Sequence, residues 1–217
     1  MAVLKLYGIS VATSTQRVAT VLHELKIPFE LIEVPYEDGE LKTQEYLRFQ
    51  PFGQVPYIDD DGFILYETRA ICRYIAAKFP ESGLIPTGSR ENALFEQAAS
   101  VELTNFDPSA SQAGVQLYWK RIGLPYNETI VPGQLEILDK ILDSYEVILS
   151  KQPYVGGNTL SLADLFHLPY AAYVTLGGSD IMTATHRPNV ARWHNELTSR
   201  PSWLAYEGGV KTTMKFL

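Results

Sequence analysis

The chain is 217 residues long, enough for one large domain or two modest ones, with 46% hydrophobic and 20% charged residues and no low-complexity stretch. Its net charge of −7, with basic residues scattered along the chain, excludes the clustered basic face of a nucleic-acid-binding protein. A single cysteine, Cys72, and the lack of any run of about 18 apolar residues argue against a disulfide framework, a Cys-rich metal site and a membrane span, and for a reducing, cytoplasmic setting.

Met1 to Tyr7 reads as a strand, with Val3–Tyr7 its apolar part, and lacks the layout of a signal peptide. Val18, Val21, Leu22 and Leu25 follow at helical spacing, an amphipathic stripe. Phe29–Val34 is β-rich and closes a first βαβ unit of a length that suits parallel strands. After the polar stretch Glu37–Lys42, strands are predicted at Val55–Ile58 and Phe63–Tyr66, flanking the turn cluster Asp59-Asp60-Asp61-Gly62. A helix from Thr68 to Phe79 follows, with Ile71, Tyr74, Ile75 and Phe79 on one face. The order βαβ then ββα predicts a thioredoxin-like α/β domain over residues 1–80, a mixed four-stranded sheet with helices on both faces.

Pro80 to Ser89, rich in proline, glycine and serine, reads as a linker, and an all-α domain is predicted over 90–217. Leu138, Ile141, Leu142, Tyr145 and Leu149 form a long stripe within it. Ser161 and Asp164 have the spacing of a reciprocal helix cap, with Leu160 and Leu165 placed for a hydrophobic staple.

Chemistry concentrates in Pro51-Phe52-Gly53-Gln54-Val55-Pro56 and in Tyr66-Glu67-Thr68-Arg69-Ala70-Ile71. Pro56 at the start of a strand cannot donate to the ladder, and a cis bond before it would present the N–H and C=O of Val55 to an extended peptide. Glu67-Thr68 lies at a strand-to-helix junction, where open amides, the helix dipole and the Thr68 hydroxyl can hold a carboxylate. Taken singly, Val55-Pro56 is an ordinary edge-strand feature and Thr68 an ordinary cap. Together, on this scaffold, they describe a site for a short peptide with a free α-carboxylate.

These residues, with Lys5-Leu6-Tyr7-Gly8, Asp38-Gly39-Glu40, Phe106-Asp107-Pro108 and the Ser161–Asp164 box, give a chain that resembles the cytosolic glutathione transferases from about Lys5 to Trp203, most closely their phi class. The resemblance implies a fold of a thioredoxin-like N-terminal domain and an all-α C-terminal one. It implies that Gln54 and Val55 hold the cysteinyl part of glutathione by backbone pairing, with Pro56 also in the glutathione site, that Glu67 and Thr68 hold its γ-glutamyl end, and that Lys42 faces its glycyl carboxylate. The family has Ser where Thr68 stands and a His where Leu41 stands. Glutathione is a co-substrate and no metal or redox cofactor is implied. The acceptor would be a small apolar electrophile or an organic hydroperoxide, and the molecule a homodimer, with Phe52 a contact residue.

Phi enzymes place a serine hydroxyl at the start of the first helix, where it favours the thiolate. An ungapped match of Tyr7-Gly8 and Arg17-Val18 puts Ala12 at that position. A hydrogen bond to a charged group is worth about 1.5–3 kcal/mol, roughly one to two pKa units. From a thiol pKa near ~8.5, that decides whether thiolate dominates at neutral pH. Thr13 is the favoured substitute, with Ser10, Ser14 and Tyr7 as alternatives, and the dipole of the helix start remains in any case. Ser14 can also be read as a cap and Tyr7 as strand packing.

Phe106, Gln112, Tyr118 and Trp119 would lie along a long helix of the second domain; their spacing cannot place all four on one face. Phe106 and Tyr118, with Ala12, are the candidates for the acceptor side. His23, His167, His186 and His194 show no metal-ligand spacing, and Cys72 reads as a buried thiol. Two rivals follow from the substitution at Ala12 and from the fold. One is a weakly catalytic or non-catalytic glutathione-dependent carrier of apolar ligands. The other is a regulatory module without glutathione affinity, against which the intact Gln54-Val55-Pro56 and Glu67-Thr68 argue.

Overall fold

A computed structural model of the protein describes residues 3–35 and 39–216. Met1, Glu37 and Asp38, which the sequence reading placed in the first strand, the polar stretch and the Asp38-Gly39-Glu40 motif, lie outside the described residues. The chain forms two compact units, one reaching Ser82 and taking in the chain from Pro201 onward, the other Gly83–Arg200.

In the first unit, β1 (Leu4–Gly8), α1 (Thr13–Glu24) and β2 (Phe29–Glu33) form the predicted βαβ turn of chain, followed by the short α2 (Gln44–Leu47). Then come β3 (Tyr57–Asp60), β4 (Phe63–Tyr66) and α3 (Thr68–Ala77). The sheet order is β2-β1-β3-β4, with β1 parallel to β2 and antiparallel to β3. Strand alternation puts Leu4 and Leu6 on one face and Tyr7 on the other, where Tyr7 packs with Val34, Tyr46 and Tyr57. Helices α1 and α3 pack on each other, burying Val18, Val21 and Leu22 from one and Ile71, Cys72 and Ile75 from the other.

Two boundaries differ from the sequence reading for identifiable reasons. Strand β3 starts at Tyr57 rather than Val55, because Pro56 has no N–H to give a ladder. The β3–β4 strands extend to Asp60 and Phe63 and close on Asp61-Gly62 alone, both at positive φ (57° and 90°), the two-residue turn whose twist suits a hairpin. Helix α2 was not predicted: four residues are too few to show a period, although Thr43 caps it by accepting the Tyr46 N–H at 3.1 Å.

The second unit is helical, as predicted: α4 (Ser89–Val101), α5 (Asp107–Arg121), α6 (Val131–Leu149), α7 (Leu162–Leu176) and α8 (Pro188–Thr198). A π-helical turn, Glu102–Phe106, joins α4 to α5. The α6 stripe buries Leu138, Leu142, Tyr145 and Leu149. The capping box at α7 is present in both directions. Asp164 is fully buried and accepts from the Ser161 N–H and hydroxyl, the Val155 N–H and the Trp193 indole, all at 2.9–3.0 Å.

The predicted boundary of the second domain is corrected at its far end. After a short helix at Pro201–Leu204 the chain turns extended and belongs with the first unit, not with the helices. Phe29 and Thr213 exchange both backbone bonds (2.9 and 3.0 Å), and the Leu31 N–H donates to the Thr212 hydroxyl at 3.0 Å. Edge strand β2 offers unpaired backbone groups, and this tail satisfies them.

Candidate active site

The end of β4, the start of α3 and the loop before β3 enclose a cavity of about 110 Å³ lined by Ser14, Gln50, Gln54, Val55, Pro56, Glu67 and Thr68. All five residues predicted for the peptide site in these two segments therefore converge. The Val55–Pro56 bond is cis. The Tyr46 hydroxyl donates to the Gln54 carbonyl at 2.7 Å and holds the loop from below. The expectation for Val55 is met by half: its N–H donates to no described residue, but its carbonyl accepts the Ser14 hydroxyl at 2.9 Å.

Glu67 caps α3 at φ 70°, ψ 110°, a conformation that costs a non-glycine residue about 1–3 kcal/mol and persists only where the surroundings impose it. The first intrahelical bond runs from Ile71 N–H to Glu67 O, so the Thr68 amide stays open at the helix start, toward which the dipole is positive. The Thr68 hydroxyl accepts from Arg17 Nη1 at 3.2 Å, which orients its hydrogen for donation elsewhere. Arg17 is 3% exposed, so its guanidinium is buried behind the Thr68 hydroxyl it donates to.

Arg17 and Gln50 were not singled out from the sequence. Gln50, 2% exposed, accepts the Phe52 and Gln54 N–H groups on its side-chain oxygen at 2.8 and 3.3 Å and so shapes the loop. Its place immediately before Pro51 was the only signal available.

The start of α1 separates the candidates for thiol activation. Ala12 is the N-cap residue, without a side-chain cap, and Thr13 is the first helical residue. The first intrahelical bond is Gln16 N–H to Ala12 O, and the Thr13, Ser14 and Thr15 amides donate to no described residue. Ser10 donates both its N–H and its hydroxyl to Glu33 Oε1 (3.0 and 3.2 Å), and the Ser14 hydroxyl is spent on Val55 rather than on a cap. Tyr7 lies on the sheet face opposite Leu6, stacked on Tyr57 at 4.4 Å. The Thr13 hydroxyl is half-buried and has no partner among the described residues.

Lys42 is not among the residues lining the cavity. Its ammonium donates to the Phe52 and Gly53 carbonyls (3.1 and 3.3 Å), bracing the loop from the 3-10 turn Glu40–Lys42. Gly53 is required there: at φ 62° a Cβ would stand 2.5 Å from the Leu41 carbonyl and 2.6 Å from Lys42 Nζ.

In the helical unit the expectation for Phe106 is corrected. It is fully buried, with its ring 4.7 Å from that of His167 and 6.0 Å from that of Tyr145, so it is core and cannot touch a ligand. It is the last residue of the π-helical turn Glu102–Phe106, in which Glu102 is buried as well. Tyr118 is half-buried and stacks on Tyr173 at 4.1 Å, while Gln112 and Trp119 are exposed, so the four indeed divide among faces.

His167 and His194 are core groups, and His186 is exposed. Among the described residues no three His, Cys, Asp or Glu side chains are placed to hold a metal. Cys72 is fully buried, and burial pushes its thiol up to about 12, which makes it inert.

Residues 13–78 match the family model of the glutathione S-transferase N-terminal domain, and residues 106–201 that of the C-terminal domain. Glutathione S-transferase hmp2 of Hypomyces subiculosus is 42% identical over 209 residues, covering 93% of this chain and 96% of that protein. The chain belongs to the glutathione transferase family. Within it the chain is most like the phi class, as the resemblance of its motifs implied. The crystal structure of glutathione transferase F2 from Populus trichocarpa superposes with a TM-score of 0.86 at 36% identity, over 93% of this chain and 95% of that one. A structure of glutathione S-transferase I from maize, in complex with an atrazine–glutathione conjugate, superposes with a TM-score of 0.84 at 32% identity, over 95% and 97%. The transferase fold expected from the sequence, a mixed four-stranded sheet domain followed by a helical one, is thus the fold found.

Proposed function

We propose that this transferase holds the γ-glutamyl carboxylate of glutathione at Thr68 and the open end of α3, with Glu67 facing the ammonium. The Val55 N–H pairs with the cysteinyl carbonyl, and the Thr13 hydroxyl, with the amides at the start of α1, donates to the sulfur. The thiolate pair then forms a C–S bond to an apolar electrophile, whose leaving group departs with the electrons of the bond that breaks. With an organic hydroperoxide, two glutathiones supply two electrons and two protons, giving the alcohol, water and glutathione disulfide.

The observation that carries this reading is the division of hydroxyls: Ser10 and Ser14 are spent on Glu33 and Val55, and Thr13 is not spent. The helix dipole and three open amides act at the same point, so the thiol is favoured as thiolate even without the serine. The carrier reading has less support, because the relatives bear transferase names and the maize enzyme holds a conjugate.

We further infer a homodimer in the cytoplasm without membrane attachment. Phe52, 61% exposed at the tip of its loop, supports the dimer as a contact residue, and no helix among the described residues is long and apolar enough to cross a membrane. Sedimentation of the wild type and of Phe52→Ser tests the assembly: a wild-type monomer would refute it.

The test of activation is the thiolate absorbance of bound glutathione titrated over pH. Wild type should ionise well below ~8.5, and Thr13→Val about one to two units higher than wild type. Equal values in the two proteins would exclude Thr13 as the donor.

A further inference from the structure

Helix α1 has Ala12 as its N-cap, without the side-chain oxygen that ordinarily fixes a first turn, yet on the activation reading above this turn carries the groups that would face the thiol. Other contacts hold it. The Ser10 N–H and hydroxyl are taken by Glu33 at the end of β2, and the Ser10 carbonyl accepts the Val210 N–H at 2.9 Å. Inside the helix, Gln16 is 1% exposed and its amide donates to the Tyr206 and Glu207 carbonyls at 3.1 and 3.3 Å. The same segment is anchored on its far side by the Phe29–Thr213 pair and the Thr212 contact to Leu31, and internally by Tyr206 and Thr213 hydroxyls 2.8 Å apart. Residues 206–213 thus form a strap that grips the activating turn on both sides, before it at Ser10 and one turn into the helix at Gln16.

The Gln16 side chain makes its hydrogen bonds to the strap. Its side-chain oxygen is buried without a partner among the described residues, an unfavourable arrangement for an acceptor removed from water. An apolar residue at this buried position would avoid that cost, so the retained amide serves the two strap carbonyls.

We propose that the strap is a positioning element for thiol activation, acting through Val210 on the Ser10 carbonyl and through Gln16 on the Tyr206 and Glu207 carbonyls. It sets where the Thr13 hydroxyl and the open amides of α1 stand relative to the glutathione sulfur. The proposal rests on the activation reading above and adds residues that touch neither glutathione nor the acceptor. Donors aimed at a developing anion lose effect steeply when misplaced, whereas the γ-glutamyl cavity is lined mainly from α3 and the Gln50–Pro56 loop, with Ser14 its one lining residue on α1.

The experiment is a pair of titrations on the full chain, bound-thiolate absorbance over pH and calorimetric glutathione affinity, for wild type, Gln16→Met and Val210→Pro. Both variants should raise the bound-thiol pKa by roughly one unit, a tenfold loss of thiolate on the acid side, and leave glutathione affinity within about threefold. A residue that merely stabilised the fold would leave the thiol pKa in place. A lowered wild-type pKa that both variants keep overturns the strap proposal alone. A wild-type thiol that titrates at its free value overturns the activation reading and this one with it. If either variant fails to fold, the coupling is read in the wild type by hydrogen exchange. Saturating glutathione should slow exchange of the Val210 amide, since coupling is reciprocal, and an unchanged rate would overturn the proposal.

Discussion

Replacing Thr68 by valine keeps the shape of the side chain and removes only its hydroxyl. In the ligand-free protein that hydroxyl accepts from the buried Arg17 at 3.2 Å, and with glutathione bound it would donate to the γ-glutamyl carboxylate. A hydrogen bond to a charged acceptor is worth about 1.5–3 kcal/mol, so Thr68→Val should weaken glutathione binding by about 10- to 150-fold. Arg17 retains other interactions, and the loss to the ligand-free fold should be smaller, about 1 kcal/mol. For a chain of this length that lowers Tm by about 2–4 °C. Calorimetric titration with glutathione and a thermal melt measure the two effects separately. Thr68→Ser, which keeps donor and acceptor, should restore affinity to within a few-fold. An affinity for Thr68→Val within threefold of wild type, or a serine variant as weak as the valine one, would refute the role assigned to this hydroxyl.

His194 is 3% exposed, with Nε2 3.0 Å from the Thr175 hydroxyl, and burial holds its pKa down to about 4 from 6.5. Between those values the unfolded chain binds the proton and the folded one does not, so stability falls as pH falls, by about 2 kcal/mol from pH 7 to 5. Urea midpoints should show that slope, and His194→Gln should flatten it; an unchanged slope would mean that other groups govern acid stability. At Glu67, glycine relieves the positive φ while alanine does not. Glu67→Gly should therefore melt above Glu67→Ala, by an amount worth about 1 kcal/mol, while both lose affinity for glutathione. Equal melting points would show that the backbone is unstrained there.

What the sequence by itself determined was set by local chemistry. The first strand, the helical stripes in α1 and α6 and the Ser161–Asp164 cap each act within a few residues and are found in place, while the Asp59–Gly62 turn cluster narrows to Asp61-Gly62 and Phe79 of the α3 stripe falls past the helix end at Ala77. The convergence of the Gln54–Pro56 and Glu67–Thr68 segments on one cavity was legible because each carries its own signal, a proline before a strand and a threonine opening a helix. Contacts across long stretches of chain were not legible. Arg17 meets Thr68 across 51 residues and Gln16 meets Tyr206 across 190, and no periodicity marks such pairs. That the Ser10 and Ser14 hydroxyls are spent, while those of Thr13 and the fully buried Thr15 have no partner among the described residues, depends on where Val55 and Glu33 lie in space. The burial of Phe106 goes with the packing of its ring on His167 and Tyr145, where spacing alone left its face undecided. The tail from Pro201 onward read as helical by its neighbours, but it joined the sheet because edge strand β2 had backbone groups that only a distant segment could satisfy.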